Sequence, residues 1–97
     1  MSDKDNGRET FETIAAWGLA TFGPVEFARI ASRANEEMKE LLANPESVEE
    51  AADIVIILSR WPNLWEAVER KMAINRAREW RLMGDGTGYH IPQKDGA

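Results

Sequence analysis

Apolar residues recur every three or four positions along most of the chain, the period of helices with one buried face. Phe11, Ile14, Ala15 and Leu19 share such a face, so the pattern predicts a short helix over Glu9–Ala20. Thr21-Phe22-Gly23-Pro24 breaks it, and Pro24 suits the first turn of a new helix. A long amphipathic helix follows over Pro24–Ala43, with Phe27, Ile30, Ala31, Ala34, Met38 and Leu41 as its core stripe. Asn44-Pro45-Glu46-Ser47 is a turn, and a third helix starts near Pro45 or Ser47. That helix carries the run Ile54-Val55-Ile56-Ile57-Leu58, which by itself also suits a buried strand. The acidic, alanine-containing lead-in Val48–Ala52 and the lack of a second strand candidate favour a buried helix. Trp61-Pro62-Asn63 ends it, and Asn63 with Glu66 reads as a capping box for a fourth helix over Leu64–Leu82. The expected architecture is all-α, about four helices joined by short turns. Residues 1–8 read as a flexible lead, 9–83 as one helical domain and 84–97 as an irregular, glycine-rich tail.

Composition narrows the chemistry. The chain has 97 residues, 43% hydrophobic and 30% charged, which suits one globular domain. A monomer of this size buries only roughly 60% of its unfolded surface, so completion by self-association is expected. There is no cysteine and one histidine, His90, which excludes disulfide scaffolds, thiolate metal sites and thiol catalysis. No apolar run reaches the roughly 18 residues of a membrane span, and the polar start has no signal-peptide core. The expectation is therefore a cytoplasmic protein with no membrane partner. The net charge of −5 disfavours a nucleic acid polymer as partner, since a basic face is needed for its backbone. An anionic small molecule stays open, because divalent cations can sit between carboxylates and phosphates.

The carboxylates have the spacing for that role. Glu37 and Glu40 lie three apart on one helix face, as do Glu50 and Asp53 on the next helix. Glu40 and Glu50 are each five residues from Pro45, and Glu37 and Asp53 are each eight. A turn at Pro45 that folds the helices antiparallel brings these pairs to matching levels, on axes about 8–10 Å apart. Four converging carboxylates offer oxygen ligands suited to magnesium or manganese. The same residues also fit a solvated face, with Ser47 and Glu50 as a capping box. Asp53 resists that alternative, because it directly precedes the most apolar run, where a lone carboxylate costs several kcal/mol.

A second constellation is Lys71, Asn75 and Arg78, aligned on the fourth helix by steps of four and three. Its cations suit phosphate oxygens, and its alternative is again a solvated polar face. Trp17, Trp61, Trp65 and Trp80 suit core or dimer contacts, while Trp17 and Phe22 flank the first loop and could stack on a base. His90 and the glycine-rich tail could close over a substrate or form a plain terminal loop.

Taken together, Glu36-Glu37-x-x-Glu40 followed by Glu50-x-x-Asp53 resembles the EExxE…ExxD signature of the all-α MazG-like nucleoside triphosphate pyrophosphohydrolases. Lys71-x-x-x-Asn75-x-x-Arg78 resembles their KxxxNxxR motif. Trp17 with Thr21-Phe22-Gly23, Trp80 after Arg78, and Asp85-Gly86…Tyr89-His90 resemble the short phage-type dATP/dGTP pyrophosphohydrolases, the MazZ enzymes among them. The resemblance spans about residues 11–91. One departure is the interval of nine residues between Glu40 and Glu50, shorter than is usual in MazG proteins. The resemblance implies hydrolysis of a purine (deoxy)nucleoside triphosphate to monophosphate and pyrophosphate, with Mg2+ or Mn2+ as cofactor. It implies a homo-oligomer, dimer or tetramer, in the host cytoplasm if the protein is viral. It implies metal ligands at Glu37, Glu40, Glu50 and Asp53, catalytic roles for Glu37, Lys71 and Arg78, and substrate contacts from Lys71, Asn75 and Arg78. The rival readings are a non-enzymatic helical interaction domain and a pyrophosphohydrolase for another nucleotide, such as dUTP or a modified base.

Overall fold

The computed structural model describes residues 7–92. They form α1 (Phe11–Phe22), α2 (Phe27–Ala43), α3 (Val48–Leu58) and α4 (Leu64–Ala77), then β1 (Trp80–Leu82) and β2 (Gly88–His90). The fold is mostly α, as the periodicity implies. The chain divides into two compact units between Trp65 and Glu66. The proposed lead lies largely outside the described residues, as does the end of the tail.

In the first unit each helix start has a local cause. Thr10 caps α1 through a reciprocal box: its Oγ1 accepts from the Thr13 amide at 3.1 Å, and Thr13 Oγ1 accepts from the Thr10 amide at 2.8 Å. Ser47 caps α3, its Oγ accepting from the Glu50 amide at 3.1 Å. The turn between α2 and α3 falls at Asn44–Ser47, where the Ser47 amide donates to Asn44 O at 3.0 Å. Helix α2 begins at Phe27 rather than at Pro24, so the proline precedes the helix. The main helix packing is α2 on α3, with α1 lying on α3.

The core is small. Ile30 of α2 and Ile54 of α3 are the buried apolar side chains among the described residues, with Ser59 buried beside the end of α3. Of the expected α2 stripe, Ala34 and Leu41 are half-buried, while Phe27, Ala31 and Met38 are exposed. Phe27 instead stacks on Trp61, ring centroids 5.3 Å apart and nearly parallel. The Ile54–Leu58 run is also one-sided, since Val55 and Ile56 are exposed. Tertiary covering of the α3 run is therefore partial. The expected burial of Asp53 fails for the same reason: one residue rotates a helix by about 100°, so burying Ile54 turns Asp53 to solvent.

Gly18 shows how closely the elements approach. A Cβ built there would meet Arg60 Cδ at 2.6 Å. The Arg60 side chain crosses α1 at this point, and its Nη2 donates to Gly23 O at 2.6 Å. One guanidinium thus ties the residues after α3 to the end of α1.

The second unit departs from expectation. Helix α4 stops at Ala77, and the next residues form an antiparallel hairpin pairing Trp80 with His90, Arg81 with Tyr89 and Leu82 with Gly88. The expected boundary between Met83 and Gly84 falls inside its turn. There the Met83 amide donates to Thr87 O at 2.9 Å, and Gly84 and Gly86 take φ of 85° and 92°, where a side chain is strained. Asp85 Oδ1 accepts from both the amide and the hydroxyl of Thr87. These bonds hold the Asp85 carboxyl below the usual carboxylate range. Trp80 Nε1 donates to Asn75 O at 2.9 Å, tying the hairpin to the end of α4. The expected cap at Asn63 is also absent. Its φ of 60° is left-handed, not the extended conformation of an N-cap.

Candidate metal centre and aromatic cavity

The packing of α2 on α3 brings three of the four expected carboxylates together. Glu37, Glu40 and Glu50 each place one oxygen within 4.8 Å of the others. Glu37 and Glu50 are half-buried and Glu40 is exposed. Glu50 Oε2 is buried with no hydrogen-bond partner among the described residues. That orphaned oxygen separates the site from a plain helix cap. Glu50 gives its backbone amide to Ser47, as a cap requires, while its carboxylate joins the other two acids. A buried carboxylate oxygen without a donor is costly, and a cation beside it removes the cost. Three clustered carboxylates can hold a metal ion, and an all-oxygen donor set suits magnesium or manganese.

The electrostatics agree. The neighbouring charge of Glu37, then that of Glu50, pushes the Glu40 carboxyl above its ordinary range, with Asp53 adding a smaller push. Asp53 is therefore close enough to be felt, though it is exposed and stands outside the trio.

Two arginines that the spacing analysis passed over border this cluster. Arg33 Nη1 donates to Glu36 Oε1 at 2.6 Å, and its Nη2 lies 3.4 Å from Glu37 Oε2. Arg29 Nη1 donates to Glu36 Oε2 at 3.2 Å. Those two guanidinium groups, Arg33 foremost, hold the Glu36 carboxyl below its ordinary range. The signal was present in the sequence as Arg33 set three and four residues before Glu36 and Glu37.

Beside α2 lies a cavity of about 370 Å³, lined by Trp17, Phe22, Ile30 and Ile57 together with Arg29, Arg33 and Arg60. Trp17 and Phe22 meet edge to face, with centroids 5.5 Å apart, and both are more than half exposed. A cavity with apolar walls, ring faces and a few cations has the make-up of a small-molecule site.

The remaining expected residues belong to the second unit. Lys71 is exposed, and Asn75 and Arg78 are half-buried. Arg78 lies just past the end of α4, although its amide still reaches Asn75 O at 3.3 Å. The expected helical stripe thus ends in a turn. Arg78 and His90 line one open cleft of this unit.

Comparison with known proteins finds a phage relative. Over 67 aligned residues the chain is 37% identical to the dATP/dGTP diphosphohydrolase of Cyanophage S-2L. The chain is similar to that phage enzyme. The alignment covers 62% of this chain and 64% of the relative, so the chain spans just under two thirds of its length. No family model matches the chain, and no solved structure does. Among the described residues no helix is long and apolar enough to cross a membrane.

Proposed function

We propose that the chain is a metal-dependent nucleoside triphosphate pyrophosphohydrolase that converts dGTP or dATP to the monophosphate and pyrophosphate. The observation that carries this reading is the convergence of Glu37, Glu40 and Glu50, where one Glu50 oxygen is buried without a partner among the described residues. The similarity to a protein named as a dATP/dGTP diphosphohydrolase supports a purine deoxynucleoside triphosphate as the substrate class.

Glu37, Glu40 and Glu50 would hold Mg2+ or Mn2+, and Asp53 is proposed as a further ligand. Such a cation would supply Lewis acidity and neutralise phosphate charge there. Glu37 is the half-buried member of the trio on α2, and its carboxylate would orient the attacking water or take its proton. On the resemblance of Lys71-x-x-x-Asn75-x-x-Arg78 to the KxxxNxxR motif, these residues of the second unit would serve as phosphate contacts. Trp17 and Phe22 offer ring faces to the base at the cavity mouth. Water is the nucleophile, and no side chain is assigned a covalent role.

We further propose a homo-oligomer, dimer or tetramer. Phe22, Leu42 and Val48 are 70% exposed or more, and Trp17, Phe27 and Val55 add to the uncovered apolar surface. These exposed faces also fit the second reading, a helical interaction domain without activity. A thermal shift that needs both magnesium and nucleotide favours the enzyme over that domain.

The deciding experiment offers dGTP, dATP, dUTP and GTP with magnesium and separates the products by chromatography. Purine deoxynucleoside monophosphate and pyrophosphate are expected as primary products. Orthophosphate as the first product would indicate stepwise phosphatase chemistry and overturn the proposal.

A further inference from the structure

We propose that Arg33 is a substrate-phosphate contact, held against Glu37 until a divalent cation claims that carboxylate. This rests on the preceding reading, in which the acidic trio takes the cation and the aromatic cavity takes the base.

Arg33 is a side chain that touches both features. Arg33 lines the cavity with Trp17 and Phe22, and its guanidinium also reaches Glu37, a member of the trio. A nucleotide with its base in that cavity and its outer phosphates at the carboxylates must lay its sugar and α-phosphate between them. Arg33 stands at this junction. A guanidinium offers a planar fork of donors that matches phosphate oxygens.

The present partners of Arg33 explain how it is kept ready. The bond to Glu36 is short, 2.6 Å, while the approach to Glu37 is long, 3.4 Å. Glu36 stands outside the trio, so its bond to the guanidinium does not compete with a cation held there. Glu37 is shared between Arg33 and the trio. A carboxylate committed to a dication is a weaker acceptor for arginine, and the dication repels the guanidinium at close range. Loading the metal therefore releases one edge of Arg33, at the place where the α-phosphate arrives. The two partners compete for Glu37 before substrate binds and cooperate once it has bound.

Opposite signs in two binding measurements test this. Full-length Arg33→Gln, Arg33→Lys and Arg29→Gln proteins are titrated in a calorimeter with Mn2+ alone, then with α,β-imido dGTP at saturating Mn2+. Arg33→Gln is expected to bind Mn2+ about twofold to fivefold more tightly, because the competitor for Glu37 is gone. It is expected to bind the analogue about tenfold to a hundredfold more weakly, because the phosphate contact is lost. Arg33→Lys should recover part of the analogue affinity. Arg29→Gln removes the same charge from a residue that does not touch Glu37, and its Mn2+ affinity should match wild type. Weaker binding of both ligands to Arg33→Gln would mean a packing role, and unchanged analogue affinity would remove the phosphate contact. Equal Mn2+ gains at Arg29 and Arg33 would mean bulk charge. Each of these outcomes overturns the proposal. If Glu50→Gln binds Mn2+ as wild type does, the metal reading itself has failed, and that result is separate from all three.

Discussion

At the scale of the residue, Glu50 carries the most information. Its sequence context, three residues after Ser47, suits an ordinary cap, and its amide does serve that cap. The Oε2 left without a partner among the described residues is what supports the proposed second use of the carboxylate. Glu50→Gln should abolish magnesium-dependent hydrolysis and raise the metal-free melting temperature, because one like charge leaves the trio. Melts in chelator and rate assays with magnesium check the two halves separately. Asp53→Asn tests the flanking position: near-normal turnover would remove Asp53 from the metal set. Lys71→Ala and Arg78→Ala should lower kcat by about 30- to 1000-fold, the value of a charge-assisted contact made in the transition state. Arg78→Lys should not restore the rate fully, since an ammonium lacks the guanidinium fork. Wild-type kcat and KM in both alanine variants would return that stripe to solvent.

At the scale of the element, the helices were legible because their caps and turns are local. Thr10, Ser47 and the Asn44–Ser47 turn each act within four residues, so α1 and α3 begin within a few positions of expectation. The hairpin β1–β2 was not legible. Its strands are three residues long, too short for a period of two to stand against the helical pattern before them. Contacts between distant residues were equally hidden, and Gly18 against Arg60 is the clearest. Gly18→Ala should destabilise by about 1–3 kcal/mol, through overpacking and displacement of Arg60 from Gly23 O. In an Arg60→Ala background the same substitution should stabilise by up to about 1 kcal/mol, because only the helix preference of alanine is left. Urea denaturation of the four proteins gives both values, and destabilisation in both backgrounds would refute the clamp.

At the scale of the whole molecule, much apolar surface lies uncovered on a single chain, and the proposed oligomer would cover it. Sedimentation at micromolar concentration should show an assembly, and a fully active monomer would rule it out. What the sequence by itself determined is whatever depends on neighbours along the chain: the helical period, the Ser47 cap, the turn about Pro45 and the pairing of Glu40 with Glu50 across it. These follow from residue spacing and backbone geometry, which need no distant partner. Tertiary structure alone decided which sides of those helices meet. The rotation of α3 that buries Ile54 carries Asp53 outward and Glu50 inward, and the packing of α2 places Arg33 between the cavity and Glu37. The physical reason is that spacing sets the relative angle of side chains on one helix, whereas the rotation of the helix against its partner is set by packing across the chain.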